Sequence, residues 1–253
     1  MDIVITHGVQ TVADHWAEVA GRLPGDVTVP NRRGRLQSEP HGESYGLRTE
    51  IDDLHQVLDT KSNPVLIGHS YGGLIAFLTA AERDDLTALV LYEPVVPVDG
   101  PFARDALRRI EAAMDRDDLD EAFSILAVDL VGDPPMYVEL FRAKDPRGWA
   151  EMLGLMAGTF TELRAVDAFD YDPSTPSRIK VPTLLLLGET SDRPELIYGR
   201  AARVLEQDIE NATLEVLPRQ GHIAHRLAPE LLADRINRFL AATTGTRDSV
   251  LEA

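Results

Sequence analysis

Two apolar patterns alternate along the chain. Short aliphatic runs at 3–6, 27–30, 65–68, 88–92, 183–187 and 213–217 predict strands. Several of them, such as Val65-Leu66-Ile67 and Leu184-Leu185-Leu186-Leu187, carry no polar alternation. A strand of that kind is buried on both faces, which points to a mostly parallel sheet covered by helices. Longer stretches with apolar positions at helical spacing lie between the runs, at 15–22, 44–58, 72–83, 193–206 and 229–241. Strand and helix in alternation predict an α/β class protein with a sheet of about six strands.

The rhythm breaks between residues 97 and 178. No strand pattern occurs there, and helical spacing recurs at 103–114, 119–131, 134–143 and 147–157. The segment carries Met114, Met136, Met152 and Met156 with Phe141, Trp149, Phe160 and Phe169. Such side chains fill irregular helical cores, and in a lid they also roof a ligand site. The expected organisation is a core of 1–96 and 179–242, a helical cap of 97–178, and a polar, frayed tail of 243–253.

Length and composition narrow the function. A chain of 253 residues fits one large domain or one domain with an insertion. Without any cysteine it has no disulfide framework, no cysteine-ligated zinc and no cysteine nucleophile. A formal net charge of −17 disfavours nucleic-acid and anionic-membrane partners. The first residues lack the basic and apolar regions of a signal peptide, so a cytoplasmic protein is expected. A small-molecule substrate is the expected partner, no metal or cofactor is expected, and homo-oligomerisation is left open.

The sharpest chemical signal follows the third strand run. Val65-Leu66-Ile67 leads into Gly68-His69-Ser70-Tyr71-Gly72-Gly73 and then an apolar helical stretch. Gly-x-Ser-x-Gly between strand and helix forms a turn too tight for side chains two places from the serine, and it holds the serine hydroxyl at its tip. The helix behind it aims N–H groups at a developing anion. Five residues alone are weak evidence, and the flanking strand and helix make them specific. The plainer alternative is Ser70 as a helix N-cap.

A base is expected late in the chain, after the last strand. His222 stands there, in Gln220-Gly221-His222-Ile223-Ala224-His225. It is preferred to His225, which reads as a surface residue beside the last helix; His69 reads as a structural neighbour of the serine. His7-Gly8-Val9 after the first strand would direct the Val9 N–H towards the site, opposite that of Tyr71, as an oxyanion hole.

Taken together, these residues resemble the α/β-hydrolase fold superfamily: His7-Gly8 after a strand, Arg32-Arg33-Gly34 after the next, Gly68 to Gly73 at the elbow and Gly221-His222 before the final helix. The opening from His7 to Trp16 is similar to the haloalkane dehalogenase and haloperoxidase branch. Dehalogenases and epoxide hydrolases of the fold use an aspartate nucleophile, and this chain has Ser70. The resemblance implies a carboxylate between serine and histidine, and two positions compete. Glu93 ends the run 88–92, where some dehalogenase-like members place a glutamate. Asp192 lies one residue past the Gly-x-x-Asp position, which Ser191 holds. Glu93 is preferred, because a carboxylate at the end of a buried strand is costly without a partner. The expected sheet lacks the antiparallel hairpin with which superfamily members usually begin.

These residues predict acyl transfer on an ester, thioester or lactone of a small, largely apolar molecule. Ser70 attacks, His222 takes the proton, Glu93 or Asp192 orients the imidazole, and water resolves the acyl-enzyme. Two alternatives stay open: non-hydrolytic use of the same site by a cyclase, lyase or C–C bond hydrolase, and a receptor that binds without turnover.

Overall fold

The computed structural model describes residues 1–251, with the backbone alone for 244–251. The expected frayed tail, 243–253, falls almost wholly on positions outside the described residues or side chains. The described strands are β1 (Asp2–Thr6), β2 (Asp26–Thr28), β3 (Val65–His69), β4 (Ala88–Tyr92), β5 (Thr183–Gly188) and β6 (Ala212–Leu217). They form one sheet in the order β2-β1-β3-β4-β5-β6, and every pairing is parallel.

The unalternated apolar runs are explained by two cores. Side chains point to opposite faces along a strand. Leu66, Leu89, Leu91, Leu185 and Leu187 enter one core, beneath α2 (Leu47–Leu58), α3 (Tyr71–Ala80) and α9 (Ile197–Asp208). Their neighbours Val65, Ile67, Val90, Leu184 and Leu186 enter the other, with Trp16, Val19 of α1 (Ala17–Ala20), and Leu232, Ile236 and Leu240 of α11 (Pro229–Leu251). Each buried aliphatic side chain contributes about 1.5–3 kcal/mol, so both faces must stay apolar.

The order of strands also locates the site. From β1 the chain moves outward to β2, then returns to place β3 on the other side of β1. A crevice opens at such a switch point, outside the carboxyl ends of the strands. His7-Gly8 leaves β1 there and Ser70 leaves β3.

Residues between β4 and β5 form helices and a third core. They comprise α4 (Arg104–Met114), α5 (Leu119–Ile125), a π-helical turn Leu126–Val131, α6 (Pro135–Lys144), α7 (Pro146–Gly154) and α8 (Met156–Asp167). Ile110, Phe123, Leu126, Trp149, Met152 and Met156 pack together there, and the Trp149 indole donates to Asp120 at 2.9 Å. Two expected helices differ. The stretch expected as one helix over 119–131 changes to π geometry after Ile125. That expected over 147–157 is broken at Leu155, which ends α7 and begins α8. Met152 and Met156 keep helical spacing across this break because both enter the same core, so periodicity alone hides the turn. At the N-terminus, the expected helix over 15–22 is a 3₁₀ turn, Ala13–Trp16, followed by the short α1.

Candidate active site

Ser70 sits between β3 and α3 with φ 57° and ψ −122°. This left-handed backbone costs a non-glycine residue about 1–3 kcal/mol and needs support on all sides. The support is visible. Ser70 N donates to Tyr92 O at 3.1 Å, and Ser70 O accepts from Leu74 N and Val95 N, both at 3.1 Å. A Cβ at Gly72 would lie 2.3 Å from the Thr6 carbonyl oxygen, and one at Gly68 would lie 2.5 Å from the Ala76 Cβ. Only glycine fits at either place. The Ser70 side chain makes no capping bond to α3, which sets the N-cap alternative aside.

The β1 loop presses against the serine. A Cβ at Gly8 would stand 2.8 Å from the Ser70 Cβ and 3.2 Å from its Oγ. Gly8 O accepts from Arg32 Nη2 at 3.0 Å, Val9 O accepts from Thr11 Oγ1 at 2.9 Å, and Gln10 takes φ 52°. Val9 and Tyr71, the expected oxyanion pair, line the same cavity as Ser70.

Of the two candidate carboxylates, the structure brings Glu93 to His222. His222 Nδ1 donates to Glu93 Oε2 at 2.6 Å, while Gly188 N donates to Glu93 Oε1 at 2.7 Å. Glu93 is fully buried with φ 43°. A carboxylate only accepts, so Nδ1 carries the proton and the neutral ring leaves Nε2 as the basic atom. Asp192 is exposed and turned to α9, where Arg203 binds both its oxygens at 2.8 and 2.5 Å and holds its carboxyl below the ordinary range. It is not the N-cap of α9, which begins at Ile197, behind Leu196.

His69, expected as a structural neighbour, and two tyrosines that sequence reasoning passed over hold His222 in place. Tyr198 stacks on its ring at 4.4 Å. His69 Nε2 donates to its carbonyl oxygen at 2.9 Å. Tyr92 OH donates to Gly221 O and accepts from Ala224 N. Tyr92 and Tyr198 read as ordinary apolar-element residues, and their partners lie far along the chain. His225 departs from expectation. It is buried, not on the surface, and stacks on Trp16 at 4.8 Å. Burial first, then the neighbouring His222 ring and Arg226 guanidinium, push it down to about 3. The cause, packing on an indole 209 positions earlier, leaves no local signal. Burial likewise pushes His69 well below the ordinary histidine range, aided by His222 and His225.

Behind Tyr71 lies a buried ionic cluster. Arg32 bonds Glu50 at 2.8 Å and Glu162 at 3.0 Å, and Arg35 bonds Glu162 at 2.6 Å. Arg32 covers the Tyr71 ring at 4.9 Å, and Tyr45 OH bridges Glu50 and Tyr71 OH. Burial opposes the Glu162 charge, but Arg32, His41 and Arg35 outweigh it and hold the carboxyl down at about 2. His41, Glu50 and Glu162 bring metal-type ligand atoms together. Two arginines already neutralise those carboxylates, so the cluster is an ion-pair network.

Ser70, His222 and Tyr198 face a cavity of about 510 Å³. Its opposite wall comes from the helices between β4 and β5, through Phe123, Leu126, Val138, Phe141 and Met152. Among the described residues, no helix is long and apolar enough to cross a membrane.

Known proteins agree with this architecture. Lipase LipV of Mycobacterium tuberculosis (strain ATCC 25618 / H37Rv) is 32% identical over 124 residues, and the match spans 47% of each chain. This chain thus spans about half the length of that relative. The monoglyceride lipase of Homo sapiens is 26% identical over 265 residues, covering 96% of this chain and 83% of its own. The crystal structure of an alpha/beta hydrolase from Sphaerobacter thermophilus DSM 20745 superposes with a TM-score of 0.78 at 26% identity, covering 94% of this chain and 92% of that one. The profile of the Alpha/beta hydrolase family matches residues 3–235, nearly the whole length. On the strength of that match, the chain belongs to the alpha/beta hydrolase family.

Proposed function

We propose that this hydrolase cleaves an ester, thioester or lactone of a small, largely apolar molecule through an acyl-enzyme on Ser70. The observation that carries the reading is that His222, held by the buried Glu93, lines the same cavity as the strained Ser70 turn. The Ser70 hydroxyl attacks the substrate carbonyl carbon and passes its proton to His222 Nε2. Glu93 holds the ring in the required tautomer and stabilises the imidazolium. The Val9 and Tyr71 N–H groups receive the oxyanion. The leaving alcohol or thiol takes the proton from His222, and water attacks the acyl carbon to free Ser70. The helices of 97–178 act as the cap, whose aromatic and methionine side chains set an apolar preference and exclude polymers. The names of the two lipases are consistent with an ester substrate.

Turnover of p-nitrophenyl butyrate tests the reading. The wild type is expected to release acid carrying one oxygen from heavy-oxygen water, and Ser70→Ala to lose activity by a factor of about 10⁴ or more. Undiminished turnover by Ser70→Ala would reject the mechanism.

A further inference from the structure

The cavity wall is apolar except at a few places, and one of them is a carboxylate with no hydrogen-bond donor among the described residues. Asp133 lines the cavity together with Tyr198 and His222. Among the described residues nothing donates a hydrogen bond to its side chain, although its backbone N–H bonds Ala127 O at 2.9 Å. Its carboxyl is close enough to His222 and Arg193 to be influenced by their charges. Burial pushes it above the ordinary carboxylate range, and the neighbouring Arg193 guanidinium and His222 ring oppose the shift.

Its position is built. The π-helical turn Leu126–Val131 ends in Gly132, which takes φ 84°. Turns of this kind are rare and often mark functional sites. Tyr198 OH donates to Leu130 O at 3.2 Å, and Arg193 Nη2 donates to Gly132 O at 2.6 Å. A Cβ at Gly132 would lie 2.7 Å from a Leu196 methyl. The segment is thus pinned to the same tyrosine that stacks on His222, and Asp133 is the first residue beyond the pin. Its half-buried carboxylate lines the open cavity, and a bound molecule that covers it without donating a hydrogen bond leaves it unsatisfied, whereas a donor on that molecule does not.

We infer that Asp133 is a specificity-determining residue: its carboxylate accepts a hydrogen bond from a hydroxyl or ammonium carried by an otherwise apolar ester. The inference rests on the hydrolase reading of Ser70 and His222, and it names the substrate class of that site. The site selects esters with one polar, donor-bearing end over plain alkyl esters of equal length. A hydrogen bond to a charged, half-buried acceptor corresponds to roughly ten- to hundred-fold in kcat/KM.

The test measures kcat/KM at pH 7.5 for propyl butyrate, 2,3-dihydroxypropyl butyrate, 3-(dimethylamino)propyl butyrate, propyl hexanoate and propyl 6-hydroxyhexanoate. The wild type is expected to prefer at least one donor-bearing ester at least ten-fold over its plain counterpart. Asp133→Leu is expected to bring that ratio close to one. In Asp133→Asn, a hydroxyl preference persists in part, whereas an ammonium preference is lost. A wild type that hydrolyses the plain esters with no donor preference overturns the inference and leaves the Ser70 reading intact. So does a preference that survives in Asp133→Leu. A wild type that hydrolyses none of the esters and p-nitrophenyl butyrate, and gives no fluorophosphonate adduct on Ser70, overturns both.

Discussion

Ser70 and Glu93 are both non-glycine residues with positive φ, 57° and 43°, and each follows a strand of the central sheet. Strain at two neighbouring strand ends is kept because the hydrogen bonds around them over-determine the backbone. Glu93 N donates to Leu186 O at 2.9 Å, and its side chain spans from Gly188 N to the His222 ring. Glu93→Gln is therefore expected to lower kcat by about 10²–10⁴, because an amide neither fixes the tautomer nor stabilises the imidazolium. Asp192→Asn, at the exposed Arg203 pair, is expected to leave kcat within about two-fold. Steady-state kinetics on p-nitrophenyl butyrate measures both. Ser70 and His222 were legible in the sequence because small residues crowd round each and the flanking elements stand beside them. The preference for Glu93 over Asp192 rested only on the cost of an unpaired carboxylate at a buried strand end, since both follow strands in the right chain order. What separates them geometrically is Arg203, eleven positions past Asp192, and Gly188 N, 95 positions past Glu93.

At the scale of elements, strands were the most legible feature. A buried parallel strand needs apolar side chains on both faces; β1, β3, β4 and β5 meet that demand, the edge strands β2 and β6 are only partly buried, and all six lie within a residue or two of the expected runs. Helices in the 97–178 segment were less so, because one core draws methionines and aromatics from successive helices at unbroken spacing. The ionic cluster that ties α8 to the loop after β2 was invisible. Arg32 and Glu162 lie 130 positions apart, and each alone reads as a solvated charge. Removing one member of a buried ion pair leaves the others uncompensated, which costs about 3–5 kcal/mol. Glu162→Ala is expected to destabilise the fold by that amount, read as a lower midpoint in urea unfolding. A change under about 1 kcal/mol would show that the cluster contributes nothing beyond an exposed pair. Arg32 also covers the Tyr71 ring, so the same substitution should loosen the residue that follows Ser70.

For the molecule as a whole, buried titratable groups set the response to acid. His7, His69 and His225 are all buried and all held below the ordinary histidine range, chiefly by desolvation. Unfolded, each binds a proton below about pH 6.5. The unfolded chain then holds more protons than the folded one, so stability falls as pH falls through this window. For His225 the window runs from about 6.5 down to about 3. Each such histidine contributes a slope of about 1.4 kcal/mol per pH unit. Glu162 adds loss in the same direction lower down: its stabilisation is full above about 4.5 and disappears as pH falls towards 2. Thermal midpoints between pH 7.5 and 4.5 should fall steeply, and His225→Phe, which keeps the stack on Trp16, should flatten the slope. An equal slope in that variant would contradict a neutral, buried His225.

The most direct test of the central claim is intact-mass labelling with a fluorophosphonate across the wild type, Ser70→Ala, Glu93→Gln and Asp192→Asn. The expected result is one adduct on the wild type, none on Ser70→Ala, a labelling rate reduced by about 10² or more in Glu93→Gln, and a rate close to wild type in Asp192→Asn. An adduct that persists in Ser70→Ala, or a Glu93→Gln that labels as fast as the wild type, would contradict the arrangement of serine, imidazole and glutamate on which the mechanism stands.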